Sequence, residues 1–417
     1  MRDQKFSIVK AFAIIFVVMS HAGAPAWLNN GLYIFHVPAF FICAGYFFHT
    51  KYLSDERTYV LHRVKGLYVP FVKWSLLFLV LHNLFFPLGL LSETYGNASG
   101  GVLHPYTWHQ FCQNAWSIVS NMSGYDTFIG GAFWFFRAFF LASLAFLVLF
   151  KIIRKLRPES TDREAGWAIL GTVFLLLLWK TTEGLNITGV AQGGYRELTG
   201  VLFMTAGFLL ARYEAVSRLT WRIALPAAAV LVLAAAYFPS AMNYKADVWE
   251  FLSLPVPAVC GFLALCYVAA FICEKAPKIL VNGLAYIGNH TLYIFVFHLL
   301  AFKVAGAVKV AWYGLPWQAM GGHPYVLQPE NNAFFFLLYV LAGVALPLLW
   351  LEGWRKLSAR CEFSIKTLLP LLMQLAVLLC KFAVRGGKAI WRGCAAVYRG
   401  FIESVKAVLA ASSSKDE

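Results

Sequence analysis

Apolar residues in this chain fall in long unbroken runs. Ten of them lie near residues 6–26, 31–50, 67–91, 131–153, 166–181, 198–211, 223–239, 253–273, 284–309 and 333–351. A hydrocarbon core about 30 Å thick takes roughly 20 helical residues, so each run is a candidate membrane-spanning helix. A transmembrane β-barrel would instead alternate apolar and polar positions, whereas a stretch such as Phe139 to Phe150 is apolar on every side. The pattern predicts an all-α, polytopic integral membrane protein with about ten spans. The fifth, sixth and seventh runs are short, which predicts local thinning of the bilayer or broken helices in the bundle interior.

Composition sharpens this. Of 417 residues, 60% are hydrophobic and 13% charged, about half the charged share of a soluble domain. Disordered and collagen-like chains are excluded by the apolar excess and by the lack of a glycine period. Eight cysteines show no CxxC pair and sit mostly in apolar runs, so neither disulfides nor zinc is expected.

Charge sets orientation, because basic loops are retained in the cytoplasm. Segments 51–65, 151–163 and 212–222 carry four, five and three Lys or Arg, and Lys275 and Lys278 add two; the intervening loops hold only Arg196 and Lys245. Fourteen against two, in alternation with ten runs, predicts both termini in the cytoplasm. A cleaved secretory signal ending near Ala22-Gly23-Ala24 is the lesser reading of the N-terminus.

Residues 1–351 are expected to form the membrane domain and 352–417 a basic cytoplasmic tail, which supplies +6 of the net +15. In the tail Lys381, Arg385, Lys388, Arg392, Arg399 and Lys406 recur on one helical stripe. That predicts a helix on the cytoplasmic leaflet with anionic lipid as its partner, or simply a solvated positive-inside tail. An eleventh span over 367–384 would put this charge outside. Nucleic acid is not needed to explain the basic balance.

Ionisable side chains inside spans are functional candidates by default. Lys10 and His21 are three helical turns apart on one face, about 16 Å along the axis. The hairpin into the second run brings His36 to the depth of His21. Arg137 lies just inside the fourth run, beside Trp134 at its outer boundary, and His298 near the middle of the ninth. Arg137 is read either as a fork for an acceptor's hydroxyls or phosphate or as a snorkelling cation, and Trp134 as a sugar platform or part of an aromatic belt. No metal-ligand spacing is present, and no metal is expected.

Lys10, ten intervening residues and His21 resemble the signature of the acyltransferase-3 family of membrane acyltransferases. The resemblance extends through Phe35-His36-Val37-Pro38-Ala39-Phe40-Phe41 with Gly45-Tyr46, Arg63 to Pro70, Phe133-Trp134-Phe135-Phe136, and Ile287-Gly288-Asn289-His290 onward to His298. It is nearest to the fucose 4-O-acetylase-like branch. Ser7 stands where many members have Asp, Ala44 where Ser is usual, and the paired-Arg motif is reduced to Arg63 and Lys65.

The resemblance implies transfer of an acyl group, usually acetyl, from cytoplasmic acyl-coenzyme A to a hydroxyl of a glycan or lipid-linked sugar, in the inner (plasma) membrane of a bacterium. His21 and Lys10 are then the expected catalytic residues. His36, Arg63, Lys65, Trp134, Arg137 and His298 are the expected substrate contacts, with Lys10, Arg63 and Lys65 on the side where the phosphates of coenzyme A arrive. An imidazole suits removal of the alcohol proton; His21 as a nucleophile carrying the acyl group is the second reading. A transporter or flippase of a glycan or lipid-linked sugar is the rival class.

Overall fold

The computed structural model describes residues 3–95, 104–361 and 402–403. They fall into two units, Met1–Leu349 and Trp350–Glu417. The tail stripe from Lys381 to Lys406 lies outside the described residues.

Every described element is helical. The first half of the chain forms α1 (Gln4–His21), α2 (Ala26–Phe35), α3 (Pro38–Tyr46), α4 (Glu56–Arg63), α5 (Val69–Phe85), α6 (Trp108–Asn121), α7 (Trp134–Leu156) and α8 (Asp162–Thr182). The second half forms α9 (Tyr195–Arg212), α10 (Trp221–Tyr237), α11 (Val248–Ser253), α12 (Pro255–Lys275), α13 (Lys278–Asn289), α14 (Thr291–Tyr313) and α15 (Ala333–Cys361). Among the described residues, seven helices are long and apolar enough to cross a membrane: α1, α4–α5, α7, α8, α11–α12, α14 and α15. The broken pair α2–α3, with α9 and α10, accounts for the other three apolar runs.

Three boundaries differ from the hydropathy reading, each for a local reason. The fifth run is a full span, because a capping box of Thr161 and Glu164 starts α8 a turn before the apolar residues begin. The second run is the broken one: Pro38 opens α3 without a donor N–H, and the His36 ring satisfies the Leu32 carbonyl at the end of α2. The ninth run is two helices, since the chain leaves helical geometry at His290 between α13 and α14.

Helix α10 is patterned inside out relative to a helix of a soluble bundle. On α10, Ala224, Ala227 and Ala234 are buried while Leu225, Val232 and Leu233 face outward. Small residues let helix backbones approach, and lipid accepts the large ones. The closest approaches rest on glycine. A Cβ on Gly45 of α3 would lie 1.8 Å from the Met204 carbonyl oxygen on α9, and one on Gly207 of α9 would lie 2.0 Å from the Ile42 carbonyl oxygen on α3. Gly288 of α13 likewise abuts Ser7 of α1, where the Ser7 hydroxyl donates to Asn289 Oδ1 at 3.1 Å.

The basic loops meet at one end of this unit. Asp162 is paired with Arg154 and, at 3.0 Å, with Arg212, and Lys151 meets Glu56 at 3.0 Å. At the other end Asn331 Nδ2 donates to the Ala22 carbonyl at 3.0 Å, and Trp317 Nε1 to the Leu88 carbonyl at 2.7 Å.

Candidate active site

Two cavities lie in line between these ends. The basic chamber, about 690 Å³, is lined by Lys10, His62 and Arg63 together with Asp3, Ser7 and the rings of Phe6, Phe48, Tyr52 and Tyr59. The histidine chamber, about 420 Å³, is lined by His21, His36, Tyr33, Trp134 and Arg196 among apolar side chains. Phe40, Phe139 and Thr291 line both, so the chambers meet at this constriction. One face of α1 serves both: Lys10 opens into one chamber, and Ile14, Val17 and His21, further along the same face, into the other.

The connecting wall is irregular. Between α4 and α5, residues 64–68 form a π-helical turn. Pro70 has no N–H for the Gly66 carbonyl and its ring would crowd it, which is a cause for widening the helix there. The turn sets Arg63 in the basic chamber and Gly66 and Leu67 in the histidine chamber. Arg63 is half-buried over the faces of Tyr59 and Phe139, 4.8 and 5.7 Å from the ring centroids, and its Nε is buried without a hydrogen-bond partner among the described residues.

In the histidine chamber the imidazoles are ordered by a directional chain of hydrogen bonds. His298, buried on α14, turns Nδ1 toward the carbonyl oxygens of Ile294 and Phe295 at 3.1 and 2.9 Å. Carbonyl oxygens only accept, so this Nδ1 carries the proton and, in the neutral ring, Nε2 is an acceptor. His21 Nδ1 lies 3.1 Å from it and must donate. That leaves His21 Nε2 with its lone pair, the tautomer a base requires. The two rings are also stacked, with centroids 5.1 Å apart.

Of the residues expected from the sequence, Lys10 and Arg63 share the basic chamber, and His21, His36 and Trp134 share the histidine chamber. Three are placed differently. Lys65 is exposed and lines neither chamber. His298 lines neither, but orients His21. Arg137 is buried away from both: its Nε donates to Glu197 Oε1 at 2.9 Å and its Nη2 to Gln192 at 3.4 Å. A guanidinium in a low-dielectric interior needs a carboxylate, and Glu197 in the first turn of α9 provides it, so Arg137 is structural rather than an acceptor fork.

Sequence reasoning passed over Arg196, counting it as one of two basic residues in outer loops. It stands over the Trp134 ring, 3.8 Å from the centroid, in the wall of the histidine chamber. Lys303 and Lys309 on α14 were also overlooked. Lys303 Nζ donates to the carbonyls of Met320 and Gly322 at 2.6 and 3.1 Å; Lys309 donates to those of Val326 and Pro329 and to Asn331. Both fasten the 320–331 loop, and Asn331 in turn holds the end of α1 beside His21.

The family model described as an acyltransferase domain, that of the acyltransferase-3 family, matches residues 3–351. The chain belongs to the acyltransferase-3 family. It is a membrane acyltransferase, and the matched segment contains every residue of both chambers. No curated protein and no solved structure matches the chain. Within the family segment, Gly45 and Gly288, both read in the sequence as motif glycines, serve the helix crossings described above, and Asn289 ties α13 to α1.

Proposed function

We propose that this acyltransferase moves an acyl group, acetyl in the first instance, from cytoplasmic acyl-coenzyme A to a hydroxyl of a cell-envelope or surface glycan, and that it resides in the inner (plasma) membrane. The observation that carries the reading is the pair of chambers meeting at Phe40, Phe139 and Thr291, with cations in one and an oriented histidine in the other.

The phosphates of coenzyme A enter the basic chamber and pair with Lys10 and Arg63, whose charges suit phosphate oxygens. The thioester end extends through the constriction. The acceptor hydroxyl sits at His21 Nε2, which removes its proton as the oxygen attacks the thioester carbonyl. When the tetrahedral intermediate collapses, the C–S bond breaks and the imidazolium returns the proton to the departing thiolate. His298 accepts from His21 Nδ1 throughout, so the positive charge formed in the step is met by an aligned imidazole and two carbonyl dipoles. His36 and Trp134 face the acceptor, and a Trp ring suits a sugar face.

The test is transfer from labelled acetyl-coenzyme A by membranes containing the full chain, wild type against His21→Ala shown to be inserted. Label entering a glycan or lipid fraction only with His21 present is the expected result. If wild type and variant move label equally, the reading fails; translocation of an unmodified lipid-linked sugar would put a transporter in its place.

A further inference from the structure

The histidine chamber is apolar and carries one formally charged side chain among its lining residues, Arg196. Outer loops are otherwise almost free of basic residues, so topology gives no reason for a cation there. Its neighbour in sequence, Glu197, is bonded to Arg137, so one carboxylate stands against two guanidiniums and a net positive charge is left. The guanidinium is held firmly: Nε donates to the Met242 carbonyl at 3.2 Å, Nη1 to Gln192 Oε1 at 3.0 Å, and the Trp134 ring lies against its plane. Nη2 has no protein acceptor among the described residues.

From this geometry we infer that Arg196 receives an anionic group of the acceptor, so that the hydroxyl acylated at His21 belongs to a molecule carrying a carboxylate or a phosphate. The inference rests on the acyl-transfer reading of the chamber and adds the chemical class of its second substrate. A fixed cation with an open N–H in an apolar cavity selects an oxyanion over a neutral sugar, because a neutral acceptor leaves the charge desolvated and unpaired. The donor's phosphates are served by Lys10 and Arg63 across the constriction, which leaves Arg196 to the acceptor. Trp134, stacked on the guanidinium, keeps it planar to the cavity and offers the sugar an apolar face.

Membranes of cells producing the full chain supply their own acceptor when given labelled acetyl-coenzyme A. The His21-dependent product is expected to be retained on anion exchange. Mild acid, which splits glycosyl phosphates, followed by phosphatase distinguishes the sources: label that elutes as neutral after either step came from a phosphate-bearing acceptor, and label retained through both from a carboxylate. Arg196→Gln is expected to cut that product at least tenfold while binding of coenzyme A to the purified protein stays within twofold, and Arg196→Lys to restore part of it. A neutral product in the wild type overturns the inference. So does a parallel loss of transfer and coenzyme A binding in Arg196→Gln, or an Arg196→Lys no better than Gln, since either outcome makes Arg196 a clip for the Met242 loop. Absence of any His21-dependent label is a different failure and strikes the acyl-transfer reading itself.

Discussion

The two chambers are built on opposite plans. In the basic chamber, Lys10 and Arg63 stand on a wide cavity, with Arg63 only half-buried. At the histidine chamber, the ring nitrogens of His21 and, behind it, His298 have defined directions: two backbone carbonyls orient His298, and His298 orients His21. A flexible, multiply charged ligand is bound well by cations that can adjust, whereas proton transfer needs one nitrogen in one tautomer at one place. On the proposed reading, binding and chemistry are thus divided between the two ends of α1.

That division is tested first where it should be sharpest. His21→Ala should lower transfer by on the order of 10²- to 10⁴-fold, the range for a general base, with coenzyme A binding by the purified protein unchanged. Loss of coenzyme A binding in this variant would break the comparison. Arg137→Ala should leave Glu197 buried and unpaired and destabilise the protein by about 3–5 kcal/mol, read as a lower unfolding midpoint in detergent; replacing both partners by apolar residues should recover most of it. Arg63→Ala should weaken coenzyme A binding by roughly 10- to 100-fold, the worth of a charged hydrogen bond, and leave the rate at saturating donor within a few-fold. His298→Ala should reduce the maximal rate about tenfold, matching one lost orienting hydrogen bond, with little change in donor affinity. Lys65→Ala should change neither quantity measurably, its side chain being outside both chambers.

Which parts of this were legible in the sequence follows from how far apart the partners lie along the chain. Lys10 and His21 share a helix, and helical spacing alone puts them on one face. His36 follows from a short hairpin. The break at His36–Pro38 is written in the proline, and the fifth span was underestimated because its first turn is polar and capped. His298 is 277 residues from His21, and nothing local in either segment announces that they touch. The Arg137–Glu197 pair is hidden in the same way, since Glu197 sits at a helix start where a carboxylate is expected for other reasons. Arg196 was concealed by the counting rule that placed the topology: a loop cation was tallied as charge, when the fold makes it cavity wall.

The meeting of the chambers at Phe40, Phe139 and Thr291 has an electrical consequence. A passage through a membrane that holds a potential is a short circuit unless ions are refused; each elementary charge crossing 100 mV releases about 2.3 kcal/mol. Two benzene rings and a threonine offer a hydrated ion almost nothing in exchange for its water, whereas an uncharged thioester has far less hydration to lose there. On the proposed acyl-transfer reading, this waist is where the acyl group passes while the energised membrane stays insulated.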